Sequence, residues 1–77
     1  MKKTYEYMIP IGEYCARIRR KLGLTQEEIG RMCGYTRQYI SYFERGMARS
    51  IKIYDTYLKI EKKLNEEENG IESIQGI

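Results

Sequence analysis

The four residues Thr25-Gln26-Glu27-Glu28 constrain the fold more than any other stretch of this 77-residue chain. They spell a capping box, in which the Thr25 hydroxyl accepts from the Glu28 N–H and the Glu28 carboxylate reaches back to the Thr25 N–H. Leu24 and Ile29 flank it as a hydrophobic staple. A helix is therefore expected to start at residue 26. It cannot run far, because Gly34 is the residue type that ends helices in a left-handed conformation. Thr36 caps again, with Tyr35 and Ile40 as a second staple, and Gly46 closes that segment. Two helices of only about two turns each are too short to persist alone. Joined by a tight turn at Cys33-Gly34-Tyr35, they form a helix-turn-helix unit that needs a surrounding bundle.

The flanking segments can supply that bundle. Pro10 suits the first turn of a helix. Ile11, Cys15, Ile18 and Leu22 then recur at four, three and four along one helical face, and Gly23 ends it. Ser50 caps a further helix whose Ile53, Tyr57, Ile60 and Leu64 repeat the same spacing. Ile29, Met32 and Cys33 are expected to form the apolar face of the second helix, and Ile40 and Phe43 that of the third. The segment 1–9 alternates loosely through Tyr5, Tyr7 and Ile9 and reads as an N-terminal arm or a short strand. Residues 10–65 read as the domain. Residues 66–77 read as an acidic, flexible tail carrying isolated isoleucines.

Composition removes several function classes. No stretch approaches the roughly 18 uncharged apolar residues of a membrane span. Met1-Lys2-Lys3 is not followed by the apolar core of a signal peptide, so a cytoplasmic location is expected. With no histidine and two cysteines, neither a structural zinc site nor a disulfide framework is expected, and Cys15 and Cys33 read as core residues. The sequence has no phosphate-binding glycine loop and no nucleophile–base pair at a plausible spacing, so neither an enzyme nor a cofactor is expected.

The net charge of +3 is unevenly spread. Residues 1–50 carry ten Lys/Arg against five acids, and residues 51–77 carry four Lys against six acids. A basic body with an acidic tail suits a polyanion on one face. If Ile40 and Phe43 point inward, the opposite face of the third helix shows Arg37, Gln38, Ser41, Tyr42 and Arg45. All can hydrogen-bond and none is acidic. Arg and Gln can pair bidentately with guanine and adenine in a major groove. Gln26 and Thr36 sit at helix N-termini, where free N–H groups and the helix dipole favour phosphate. Arg49 and Lys52 follow the third helix, on a loop able to reach a nucleic-acid backbone. Tyr39 lies beside the same face. Arg17, Arg20 and Lys21 add basic residues on the first helix, with no facing fixed by the sequence.

The stretch Ile18–Ser50, IRRKLGLTQEEIGRMCGYTRQYISYFERGMARS, closely resembles the Cro/C1-type (XRE-like) helix-turn-helix family of phage repressors and bacterial regulators. The resemblance covers roughly residues 11–64. It implies an all-α, compact four- to five-helix bundle containing a helix-turn-helix, the lambda-repressor-like DNA-binding fold. It assigns base contact to Thr36, Arg37, Gln38, Ser41 and Tyr42. Phosphate contact is expected from Gln26, Tyr39, Arg45, Arg49 and Lys52. The resemblance also implies a structural ion pair between Arg19 and Glu44. The usual fifth helix is shortened, absent or replaced, because the fourth runs into Glu66-Glu67-Glu68 without a break.

The leading expectation is thus a transcriptional regulator, specifically a repressor, that binds an inverted-repeat double-stranded DNA operator as a homodimer. The alternative is a protein-interaction module, such as an antitoxin or anti-repressor, that keeps the fold and binds a protein partner through the N-terminal arm or C-terminal tail.

Overall fold

In a computed structural model describing residues 4–68, four α-helices follow one another: α1 (Met8–Lys21), α2 (Gln26–Cys33), α3 (Arg37–Glu44) and α4 (Ile51–Glu68). No strand occurs among the described residues. The all-α expectation therefore stands, with four helices in the described part. Of the tail expected at 66–77, residues 69–77 lie outside the described residues.

The local signals act as their chemistry requires. Thr25 Oγ1 accepts from Glu28 N at 3.1 Å, and Thr25 N donates to Glu28 Oε1 at 2.8 Å, so both arms of the capping box are made. The backbone hydrogen bond from Thr25 leads the effects that hold the Glu28 carboxyl below its ordinary pKa. Gly34 ends α2 at φ 81°, a left-handed conformation in which a side chain would strain the backbone. Thr36 caps α3 through Tyr39 N, and Ser50 caps α4 through Ile53 N. Arg19, Arg20 and Lys21 occupy the last turn of α1, where cations complement the helix dipole.

The core sits where the four helices converge. Cys15, Ile29, Cys33, Ile40, Phe43, Ile53 and Tyr57 are almost fully buried, with Phe43 and Tyr57 stacked at 6.0 Å between ring centres. Both cysteines are free. Cys33 donates to the Ile29 carbonyl at 3.2 Å. Burial, and secondarily the Glu44 charge, push the Cys15 thiol up to about 12. It behaves as a small apolar side chain.

Three boundaries or faces differ from expectation. First, α1 begins at Met8, two residues before Pro10, and residues 5–7 just ahead of it are folded onto the body. Met8 is buried, Tyr5 packs on the core, and Tyr5 N donates to the Gly46 carbonyl at 2.8 Å. Second, Met32 is 52% exposed and does not join Ile29 and Cys33. On a two-turn helix, three neighbouring apolar positions span more arc than the core contact, and Met32 falls at its edge beside Leu22, Leu24 and Ile60. Third, α4 continues past Asn65 to Glu68, as its unbroken run into Glu66-Glu67-Glu68 implies, so helix extends beyond the domain end expected at 65. Glu and Lys are good helix formers, so polarity alone does not end a helix. Among the described residues no helix is long and apolar enough to cross a membrane.

Candidate nucleic-acid interface

One carboxylate ties the bundle together behind the outer face of α3. Glu44, at the end of α3, is only 7% exposed. Arg19 of α1 donates to it twice, Nε to Oε2 at 2.8 Å and Nη2 to Oε1 at 3.1 Å. Gln26 Nε2, at the start of α2, donates to Oε1 at 3.0 Å, and the Tyr57 hydroxyl of α4 donates to Oε2. Arg19 Nη1 also bonds the Leu24 carbonyl at 2.9 Å. Burial on its own raises the Glu44 pKa. The hydrogen bonds from Arg19, Tyr57 and Gln26, with the Arg19 charge, outweigh it and hold the carboxyl below its ordinary value. Burial first, then the bond to Glu44, push the Tyr57 phenol well up. The carboxylate stays ionised and matched inside the protein, so it presents no free negative charge on the outer face of α3.

The Arg19–Glu44 pair is as expected, but two of its partners are not. Gln26 was placed on phosphate, and in this structure one of its two N–H donors points inward to Glu44. Tyr57 was assigned to the core for its ring, whereas its hydroxyl is a member of the cluster. Neither contact has a local sequence signal, since both cross between helices 13 or 18 residues apart in the chain.

The outer face of α3 carries the expected side chains. Arg37 and Gln38 are exposed, and Ser41 and Tyr42 are half-buried. Gln38 Nε2 donates to the Tyr42 hydroxyl at 2.8 Å. Arg45 lies over the Tyr42 ring at 5.5 Å and donates to the Ser41 carbonyl at 3.3 Å. Arg37 makes no hydrogen bond or ion pair to another described residue. Thr36, exposed, accepts the capping bond and keeps its hydroxyl hydrogen for an outside acceptor.

The other expected contacts are placed less simply. Tyr39 is half-buried against the core, its ring stacked on Tyr35 at 4.9 Å. Lys52 lies in the first turn of α4 rather than in the loop, its Nζ 5.8 Å from the Tyr35 ring centre. Arg49 lies on the loop but is engaged by the N-terminal segment. Its Nη1 donates to the Tyr7 hydroxyl at 2.9 Å, and its guanidinium sits 4.5 Å from the centre of the Tyr5 ring. The Tyr7 bond raises its already high pKa.

Two clefts open on either side of Gln26. One, of about 530 Å³, runs from Thr25 and Gln26 to Arg37 at the start of α3. The other, of about 620 Å³, runs from Gln26 to Ser41 and Arg45 and is walled by α1. The sequence left the facing of α1 open, and here Arg17 and Arg20 turn toward this second cleft. The signal was present in the spacing: Glu13, Arg17 and Arg20 share a helical face away from Ile11, Cys15 and Ile18.

A short helix capped by Thr25, a glycine turn, and a second short helix locked from behind by its last acid define a helix-turn-helix protein. Residues 16–71 match the helix-turn-helix family, and the chain belongs to it. It is similar to an uncharacterized HTH-type transcriptional regulator, y4dJ, of Sinorhizobium fredii, with 50% identity over 36 residues. That alignment covers 47% of this chain and 47% of the relative, so the likeness spans about half of each protein. No solved structure matches the chain.

Proposed function

We propose that this protein is a sequence-specific double-stranded DNA-binding transcriptional regulator, acting as a repressor, with α3 in the major groove. The observation that carries this reading is the division of charge on α3. Its one acid is buried and matched, while Arg37, Gln38, Ser41, Tyr42 and Arg45 remain outside. Arg37, without a partner among the described residues, is suited to bidentate recognition of guanine, and Gln38 and Tyr42 to a neighbouring base or backbone. Thr36 adds a base contact at the start of the helix, and Gln26, Tyr39, Arg45, Arg49 and Lys52 serve as phosphate contacts around it. The family membership and the regulator named among its relatives support the same reading.

One such helix reads only a few base pairs, so specific binding near about 10⁻⁸ M calls for two half-sites and a homodimer on an inverted repeat. A self-association surface is supported by exposed apolar side chains at Ile51, Tyr54 and Leu58 of α4, with Ile51 88% exposed. Repression would follow from occlusion of an overlapping promoter.

The test is binding of the purified protein to its own upstream DNA, followed by anisotropy with excess nonspecific competitor at fixed salt. A saturable complex of two chains per site, lost with Arg37→Ala, is the expected result. A stoichiometric protein partner with no DNA retained would instead favour a protein-interaction module.

A further inference from the structure

The α1 wall of the second cleft lies outside the set of contacts assigned above, although Gln26, Ser41 and Arg45 on its other side belong to that set. Three arginines line the cleft, Arg17 and Arg20 on α1 and Arg45 just after α3. Arg17 and Arg20 make no hydrogen bond or ion pair to other described residues, and among them the Arg45 guanidinium meets the Ser41 carbonyl and the Tyr42 ring. Of the two acids in the lining, Glu44 is already held by Arg19, Gln26 and Tyr57, which leaves Glu13 alone against three cations. The walls cannot spread easily, because α1 and α3 meet backbone to backbone at Gly12. A Cβ there would overlap the Glu44 carbonyl oxygen. Gln26 forms the edge shared with the cleft that holds Arg37, so an anion seated here lies alongside the face of α3.

We infer that this cleft is a phosphodiester-binding site, in which Arg17 and Arg20 of α1 and Arg45, which caps the end of α3, grip the DNA backbone flanking the bases that α3 reads. The inference rests on the proposed DNA-binding function and adds α1 to the DNA-contacting elements. Guanidinium forks match phosphate oxygens bidentately, and three on two rigidly packed helices fix register along the duplex without reading sequence.

The test compares Arg17→Gln/Arg20→Gln with the wild type by anisotropy on the preferred duplex and on an unrelated one, across a salt series. Both residues are exposed, so folding is retained and checked by circular dichroism. The expected result is a loss of about tenfold or more at low salt, equal on the two duplexes, with the slope of log K against log salt smaller by about 1 to 2. Lys62→Gln/Lys63→Gln removes the same charge from α4, away from the cleft, and is expected to leave the slope near that of the wild type. The inference is overturned if the α1 variant keeps the wild-type slope, or if the α4 variant matches its loss. If Arg37→Ala still abolishes preference in that case, the DNA-binding reading survives without the cleft. A wild type that binds neither duplex overturns both. Inorganic phosphate that titrates Arg17 and Arg20 in nuclear magnetic resonance at micromolar concentration, without any duplex binding, would assign the cleft to a free anion and overturn the DNA-backbone assignment.

Discussion

On the inner side of α3, Glu44 accepts hydrogen bonds from Arg19, Gln26 and Tyr57, one residue from each of the other three helices. On the outer side, two turns earlier, Arg37 is bonded to no other described residue. The same eight-residue helix thus carries one fully matched polar cluster and, on its outer side, an arginine whose hydrogen-bonding capacity no described residue uses. A buried polar group without its partners is costly, so the inner cluster locks the position of the helix. An exposed group loses nothing by waiting for an outside partner. Separating the two lets α3 be rigid and still reactive toward a ligand.

The sharpest way to break the comparison is Glu44→Ala. It leaves the Arg19 guanidinium, whose side chain is 13% exposed, without its counter-charge, and strands Tyr57 and Gln26. A loss of about 3–5 kcal/mol is expected, a large share of an ordinary domain's stability, and urea unfolding measures it. Arg37→Ala, on the open side, is expected to leave the urea midpoint nearly unchanged while DNA affinity falls by about 1–3 kcal/mol and sequence preference relaxes. A large stability loss at Arg37, or none at Glu44, would erase the distinction between the two sides.

Acid sharpens it from another direction. The Glu44 carboxyl titrates below its ordinary value of 4.5 in the folded protein. The stability it contributes is therefore complete above that value and is lost as pH falls through the lower folded pKa. Melting temperatures of the wild type should drop across that window, and those of Glu44→Gln should fall less steeply.

Smaller effects belong to the ends and surface of α2. Thr25→Ala removes the hydroxyl half of the capping box and should cost about 1 kcal/mol in thermal unfolding. Arg31→Ala breaks an exposed pair with Glu27, at 2.8 Å, and should change stability by no more than about 0.5 kcal/mol.

What the sequence discloses follows the same division between local and distant chemistry. Thr25, Thr36 and Ser50 act on N–H groups three residues away, so their caps are readable from spacing alone. Ile40 and Phe43 are set three apart by the helical period. The start of α1 is not readable, because Tyr7 makes no side-chain cap and the chain is held there by a bond from Tyr5 to distant Gly46. Arg49 looked available for phosphate because nothing in its own segment reveals Tyr5 and Tyr7, some forty residues earlier, beneath and beside it. Arg19 and Glu44 were found through resemblance rather than spacing. The inward bond of Gln26 and the hydroxyl of Tyr57 had neither route, since each depends on how separate helices stack.

Gly12 carries a consequence for how the protein can vary. Where α1 touches the end of α3 there is no side chain to absorb a change, so any residue larger than glycine would act as a shim between two rods. It would alter the pitch at which α3 is presented while leaving every residue on the outer face intact. The aim of α3 is therefore set by an atom that is missing, at a position that faces the protein's own backbone.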